Sequence, residues 1–240
     1  EGMSAVALGQ GIDWCFESFP EFLDAVDERP KRLNVAAMVG HTPVRLFVLG
    51  AEASDRPATD AEVALMAELV EGAVEAGAIG FASSKGAVHN GAYGKPVPSR
   101  LADAEEIYAL GESAGRAGAR IIQCNVGPGL GVAECATLSQ RSGTTVCYTP
   151  LFANGDGSAP AALDEVEQVD GDVFAQFSCR PIVMQIVMAD PYPFGTIEAF
   201  AEVLACPHDE RAALYRDPAW REQARRGYDE WEASEREPRL

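Results

Sequence analysis

A histidine and an arginine stand close together just beyond an apolar run. His41 and Arg45 follow Asn34-Val35-Ala36-Ala37-Met38-Val39-Gly40. An imidazole in such a place can exchange a proton near neutrality, and a guanidinium can hold a carboxylate through two parallel N–H groups. A second polar cluster, Ser83-Ser84-Lys85, ends the run Ala78-Ile79-Gly80-Phe81-Ala82. His89, Lys95 and Arg100 lie in the loop that comes next, and Arg180 follows a further apolar run, residues 173–178. His41, Arg45, Ser84, Arg100 and Arg180 are therefore the candidate binding residues, and cationic donors of this kind suit a small anionic molecule.

Other chemistries find less support. The chain has 3 histidines, His41, His89 and His208, without an H-x-H or H-E-x-x-H pair. His41 and His89 follow consecutive strand-like runs and could share a two-histidine metal site, although a hydrogen-bonding role is the plainer reading for each. His208, after Pro207, reads as a surface residue. A Ser84–Lys85 hydrolase is a further alternative, weakened because sequence neighbours in a strand face opposite ways and no G-x-S-x-G elbow is present. The strand ends lack the paired carboxylates of glycosidic chemistry. No G-x-G-x-x-G or Walker run follows a strand. Gly127-Pro128-Gly129-Leu130-Gly131 reads as a tight turn more readily than an anion cradle, since Pro128 has no N–H.

Positioning such groups requires a frame of strands and helices. Strand patterns fall at residues 33–39, 78–82, 120–125, 145–149 and 173–178, with a further apolar run at 182–188. Helix patterns lie between them. Residues 19–28 carry Phe22, Leu23 and Val26 on one face. Thr42 is expected to cap a helix with Pro43 at its first position and Gly50 at its end. Thr59 and Glu62 form a capping box for a stripe of Val63, Met66, Val70 and Val74. Asp103 opens the next helix, with Ile107, Leu110 and Ala114 inward, and Val132, Cys135 and Leu138 mark another that Gly143 closes. Two or three helices are expected after residue 195. The polar stretch 83–101 is long for a loop inside a compact domain, which points to function or disorder. The alternation implies an α/β fold with a mostly parallel sheet, the central part of a (β/α)8 TIM-like barrel; an open doubly wound sheet is the alternative. Residues 1–233 read as one partial barrel segment and 234–240 as a charged tail. In such folds the site sits at the strand C-termini.

The 240-residue chain carries a net charge of −18, which argues against nucleic acid or an anionic membrane as partner. No apolar run is long enough to span a bilayer, and the N-terminus has no signal-peptide pattern. The chain does not open on Met and reads as the middle of something longer. The 6 cysteines, Cys15, Cys124, Cys135, Cys147, Cys179 and Cys206, are scattered without a C-x-x-C, as expected of reduced thiols in a cytoplasmic protein. Cys124, Cys147 and Cys179 lie in or beside apolar runs and are expected to be buried.

Several of these segments, taken in order, resemble the D-aminoacylase branch of the amidohydrolase superfamily. They are residues 19–25, the Gly40-His41-Thr42-Pro43-Val44-Arg45 block with the strand before it, residues 75–84, and Pro96-Val97-Pro98-Ser99-Arg100-Leu101. A looser likeness continues through residues 176–181 and 214–218. The resemblance implies a (β/α)8 barrel with a small β-rich domain. It also implies a metal-dependent hydrolase, usually with zinc, that cleaves the amide of N-acyl-D-amino acids through metal-polarised water. It places His41, Arg45, Ser84 and Arg100 at motif positions lining the cleft for a small anionic N-acyl amino acid. The family's H-x-H, its ligand cysteine and its catalytic Asp have no counterparts between Glu1 and Leu240. Gln123-Cys124-Asn125 stands where a ligand histidine is expected, and Cys147-Tyr148-Thr149 where a His-His pair is. The expected zinc ligands are thus outside this chain, and the chain alone is expected to be inactive. The alternative is a non-catalytic binding module with a degenerate site. Oligomeric state is not legible.

Overall fold

The computed structural model describes residues 5–152, 158–181 and 183–236. Two helices lead in, α1 (Ala5–Gly11) and α2 (Phe19–Asp27). Alternating elements follow: β1 (Met38–Gly40), α3 (His41–Leu49), α4 (Asp60–Glu75), β2 (Gly80–Ser84), α5 (Ala104–Arg116), β3 (Ile121–Asn125), α6 (Val132–Ser142), β4 (Thr145–Thr149), α7 (Ser158–Gln168) and β5 (Val173–Ala175). The last helices are α8 (Glu198–Ala205), α9 (Arg211–Leu214) and α10 (Pro218–Arg236).

The 5 strands form one sheet in the order β1-β2-β3-β4-β5, every pair parallel. A doubly wound sheet reverses its strand order at a switch point, and this one does not. Successive parallel neighbours joined through helices are the wall of a (β/α) barrel, as the alternation implies. The register puts Ser84, Asn125 and Thr149 in one row at the C-terminal end of the strands, with Ala82, Gln123, Cys147 and Phe174 in the row below. Residues two apart share a face, so these rows line one side of the sheet. The other side carries Val39, Phe81, Ile122, Cys124 and Val146, which join Met66, Val70, Ile107, Leu110, Cys135 and Leu138 in the main core.

The local rules explain most of the helices. Thr59 and Glu62 make the reciprocal capping box that the sequence announces, and Ser18 and Glu21 make another. Ile107, Leu110 and Ala114 are fully buried. Gly143 ends α6 in a left-handed conformation at φ 65°. Residues 127–131 form a turn bridged between Gly127 and Leu130.

Several boundaries differ from expectation. β1 begins at Met38, not at residue 33, because only Ala37 finds a partner upstream of it, accepting from Ile79 N–H at 2.8 Å. α3 begins at His41 with Gly40 as N-cap, so Thr42 is not the cap; its hydroxyl donates to Ser99 Oγ at 3.0 Å instead. The run 182–188 is not a strand among the described residues, and Ile182 lies outside them; Val183, Met184, Val187 and Met188 are exposed. Among the described residues no sixth strand stands beside β5 to pair with them. α10 continues past position 233, since Ser234-Glu235-Arg236 adds no helix breaker. Cys179 is exposed, whereas Cys124, Cys135 and Cys147 are buried as inert thiols. A hydrogen bond with Cys135, followed by burial, pushes the Cys124 thiol well above its ordinary range. The described residues contain no helix long and apolar enough to cross a membrane.

Candidate functional site at the strand C-termini

The side-chain alternation of β2 divides the polar groups into two sets. Ser83 faces the helices and Ser84 faces the inner rows. His41 goes with the first set. Its Nδ1 lies 2.9 Å from Ser83 Oγ, its Nε2 lies 2.8 Å from Glu106 Oε1, and its ring packs 5.5 Å from that of Phe81. Arg45 Nη1 donates to both Glu106 oxygens, at 2.6 and 2.5 Å, and Nη2 donates to Arg56 O at 3.0 Å. His41 is 1% exposed and Arg45 0%, so both lie behind the wall, under α5, and neither reaches the rim. His41 and His89 therefore belong to opposite faces of β2 and do not form a shared metal pair.

The charges of this buried group are self-consistent. Burial alone would raise the Glu106 carboxyl; hydrogen bonds from His41 and Arg45 outweigh it and hold the group below the usual carboxylate range. Burial, opposed by Glu106 and assisted by Arg45, holds the His41 imidazole below its ordinary value. The ring is then neutral at pH 7, with Nε2–H donating to the ionised Glu106 and Nδ1 accepting from Ser83.

The rim set is Ser84, His89, Arg100 and their backbone neighbours. Ser84 Oγ and His89 Nδ1 share a hydrogen bond of 2.6 Å, and Gly86 N–H donates to Ser84 Oγ at 3.3 Å. Lys85 does not activate Ser84. It points the other way, and its Nζ donates to the carbonyls of Arg100 and Ala102, both at 2.6 Å. Arg100 Nη1 donates to His89 O at 3.2 Å and Asn90 Oδ1 at 2.6 Å. Ser99, fully buried, relays Thr42 to Ser84 O with a 2.8 Å bond. The long polar loop is thus ordered by its own side chains and by the pairing of Asn90 with Pro96. Arg180 lies past the end of β5, exposed, with its backbone bonded to Ser178 Oγ, and among the described residues it joins neither set. His208 is exposed in the turn between α8 and α9.

Glu106, Ser99 and the His89 partnership have weak sequence signals. The Asp103 carboxylate caps the Glu106 N–H at 2.9 Å, but Glu106 does not return the bond as a capping-box residue would. Its side chain turns inward instead. An acidic residue at the third helical position, next to the inward Ile107, is the only clue.

No group of three or more His, Cys, Asp or Glu side chains is placed to hold a metal ion among the described residues. The donor set agrees: both His41 nitrogens are committed to protein partners, and the Cys124 and Cys147 thiols are buried with raised pKa values. The zinc implied by the resemblance does not fit the residues described.

A sequential parallel wall is the architecture of a (β/α) barrel segment, and solved structures of that fold match it. The chain is 41% identical over 76 residues to a D-aminoacylase of Alcaligenes xylosoxydans xylosoxydans, a stretch covering 32% of this chain and 15% of that protein. It is 41% identical over 68 residues to an N-acyl-D-aspartate deacylase of the same organism, covering 28% of this chain and 13% of the relative. The fold is that of a crystallised D-aminoacylase of the amidohydrolases, with a TM-score of 0.54 at 21% identity, over 72% of this chain and 37% of that one. It is likewise that of an N-acyl-D-glutamate deacylase from Bordetella bronchiseptica complexed with zinc and a phosphonate inhibitor, with a TM-score of 0.51 at 21% identity, over 71% of this chain and 36% of that one. No family model matches. The chain is thus similar, over part of its length, to a D-aminoacylase and an N-acyl-D-aspartate deacylase; it spans about a third of the length of the solved structures it matches, and the matched stretches span 15% and 13% of those two relatives.

Proposed function

We propose that this chain is a segment of the catalytic barrel of a metal-dependent amidohydrolase that cleaves the amide of N-acyl-D-amino acids. The observation that supports it best is the 41% identity to a D-aminoacylase, on a chain whose sheet has the sequential parallel order of a barrel wall. In this reading residues 1–233 are barrel and 234–240 a charged tail. Ser84 and Arg100 contact a small anionic N-acyl amino acid at the rim, His41 and Arg45 support the wall behind them, and Arg180 reaches the substrate from beyond β5. Zinc, supplied with ligands other than the described residues, would polarise the scissile carbonyl. The 240-residue chain alone does not hydrolyse the substrate.

The test is hydrolysis of a panel of N-acetyl-D- and N-acetyl-L-amino acids by the protein carrying this segment in its natural sequence context, with and without a chelator. D-selective release of the free amino acid, lost on chelation and restored by zinc, supports the reading. L-selectivity, or no hydrolysis at all, sinks it.

A second reading is a non-catalytic binding module of the same ancestry, in a cytoplasmic protein. The commitment of both His41 nitrogens to protein partners and the burial of the Cys124 and Cys147 thiols are in keeping with it. It is chosen if the same protein binds N-acyl-D-amino acids saturably, retains no metal on dialysis and releases no amine.

A further inference from the structure

Sequence order couples Ser84 to Lys85, but the fold couples it to His89. Ser84 stands last in β2, in the row that faces away from the core, and is partly exposed. Its Oγ accepts from Gly86 N–H at 3.3 Å, so its own proton is directed at His89 Nδ1, 2.6 Å away. The ring is then the tautomer that carries its proton on Nε2 and keeps a lone pair on Nδ1. A hydroxyl donating to an imidazole lone pair is the arrangement of a serine nucleophile with its general base.

The base is held from several sides. His89 N–H donates to Gly86 O at 3.0 Å, and its carbonyl accepts from Val97 N–H at 3.2 Å and from Arg100 Nη1 at 3.2 Å. Gly86, which is buried, lets a third group approach. A Cβ built there would lie 2.6 Å from Asn125 Oδ1 and 3.5 Å from His89 Cδ2, so the Asn125 amide and the His89 ring border the same point. Asn125 is also the register partner of Ser84 on the neighbouring strand, and the two stand side by side at the strand C-termini. The Asn125 side chain forms no hydrogen bond among the described residues, which leaves its amide donors for a ligand. An amide donor beside a serine and its base can stabilise the oxyanion of an acyl transfer. The row beneath, Ala82, Gln123, Cys147 and Phe174, is uncharged and suits a neutral acyl group.

We propose that Ser84, His89 and Asn125 form an esterase site for small uncharged carboxylic esters. Ser84 Oγ adds to the ester carbonyl carbon as its proton passes to His89 Nδ1, and the Asn125 amide donates to the oxyanion. The oxyanion collapses, the C–O bond to the alcohol breaks, and the alcohol leaves with the proton from Nδ1. Water then adds to the carbon of acyl-Ser84 and gives its proton to Nδ1. Cleavage of the Oγ–C bond returns that proton to Ser84 and releases the carboxylic acid. The activity goes beyond the amide cleavage proposed above and does not rest on it, since no step uses a metal ion.

The test uses the protein carrying this segment in its natural sequence context, kept in excess chelator. It is treated with p-nitrophenyl acetate and, separately, with an alkyl fluorophosphonate. Expected are a burst of p-nitrophenol with an acetyl group on Ser84, and fluorophosphonate labelling of the same residue, both located by mass spectrometry. Ser84→Ala removes both. His89→Ala slows hydrolysis and labelling about a hundredfold, the scale of a lost general base, and free imidazole restores part of the rate. A histidine that only holds the loop gives no such rescue. Asn125→Ala loses a similar factor, as for one oxyanion donor. Circular dichroism and melting curves identify folded variants, and His89→Gln replaces His89→Ala if the latter does not fold. No label on Ser84 in the unaltered protein, ester hydrolysis that persists in Ser84→Ala, or a folded His89 variant within twofold of the unaltered rate overturns the site.

Discussion

His41 and Glu106, 65 residues apart in the chain, are joined by a 2.8 Å hydrogen bond between side chains almost wholly closed to solvent. The bond ties the first turn of α3 to the first turn of α5. Arg45, one helical turn further along α3, closes on the same carboxylate. The polar end of the β1–β2 wall is thus braced from behind by an ion pair and a histidine set into the apolar core.

Removing the carboxylate should expose how much depends on that brace. Glu106→Ala leaves Arg45 buried without a counter-charge, and its Nε already lacks a hydrogen-bond partner among the described residues. Breaking a buried ion pair from one side costs about 3–5 kcal/mol. Urea unfolding of Glu106→Ala should show a loss of that size, with Glu106→Gln intermediate. A loss below about 1 kcal/mol would mean that the pair is not closed to water, given the penalty for an uncompensated buried charge.

The same group sets a dependence of stability on pH. The folded His41 pKa lies below the unfolded value of 6.5, so below pH 6.5 the unfolded chain binds a proton that the folded chain refuses. Stability contributed by this ring is full above 6.5 and falls as the pH drops beneath it. Glu106 is also depressed; its contribution is present above the unfolded value of 4.5 and is lost as the pH falls through the folded pKa. Unfolding free energies measured from pH 8 down to pH 2 should decline in two limbs, one beginning below pH 6.5 and one below pH 4.5, and His41→Asn should remove the upper one. An upper limb unchanged in that variant would assign it to another group.

How much of this was legible in the sequence depended on the range of each interaction. Thr59 and Glu62 announce their helix because capping is settled within four residues. The strand rhythm and the polar rim are legible for a similar reason, since each βα unit is local. The two-sided split of Ser83 and Ser84 follows from strand alternation, yet which side holds His41 depends on Glu106, far along the chain. Arg45 therefore reads in the sequence as a ligand-binding fork and is in the fold an internal counter-ion. Ser99 is a serine in a proline-rich loop until its burial is seen. Residues 33–37 carry a strand pattern, but a strand exists only where a neighbour accepts its hydrogen bonds, and β2 is too short to do so.

Ser99→Ala should separate a packing loss from a positioning loss. The hydroxyl is fully buried, accepts from Thr42 and donates to Ser84 O. Its removal leaves a carbonyl and a hydroxyl short of partners, at a cost of about 1–3 kcal/mol. Thermal melting should register the loss, and Ser99→Thr should restore part of it. Equal melting temperatures for Ser99→Ala and the unaltered chain would show that water replaces the hydroxyl.

The glycine at position 127 supports the rim by having no side chain. A Cβ built there would lie 2.0 Å from the Lys85 carbonyl oxygen, a backbone atom that cannot swing aside. The turn after β3 and the loop after β2 therefore approach as closely as they do only because Gly127 is small. Gly127→Ala must push the Lys85 backbone away, at a cost of about 1–3 kcal/mol as for other overpacked sites. The displaced strand end carries Ser84 and Lys85 with it, so the melting temperature should fall. Gly72→Ala is the matched control: its Cβ meets nothing within 4 Å on the exposed face of α4, and alanine there should add about 0.5–1 kcal/mol through helix propensity. If both substitutions move the melting temperature in the same direction, the close approach of the two loops is not what Gly127 provides.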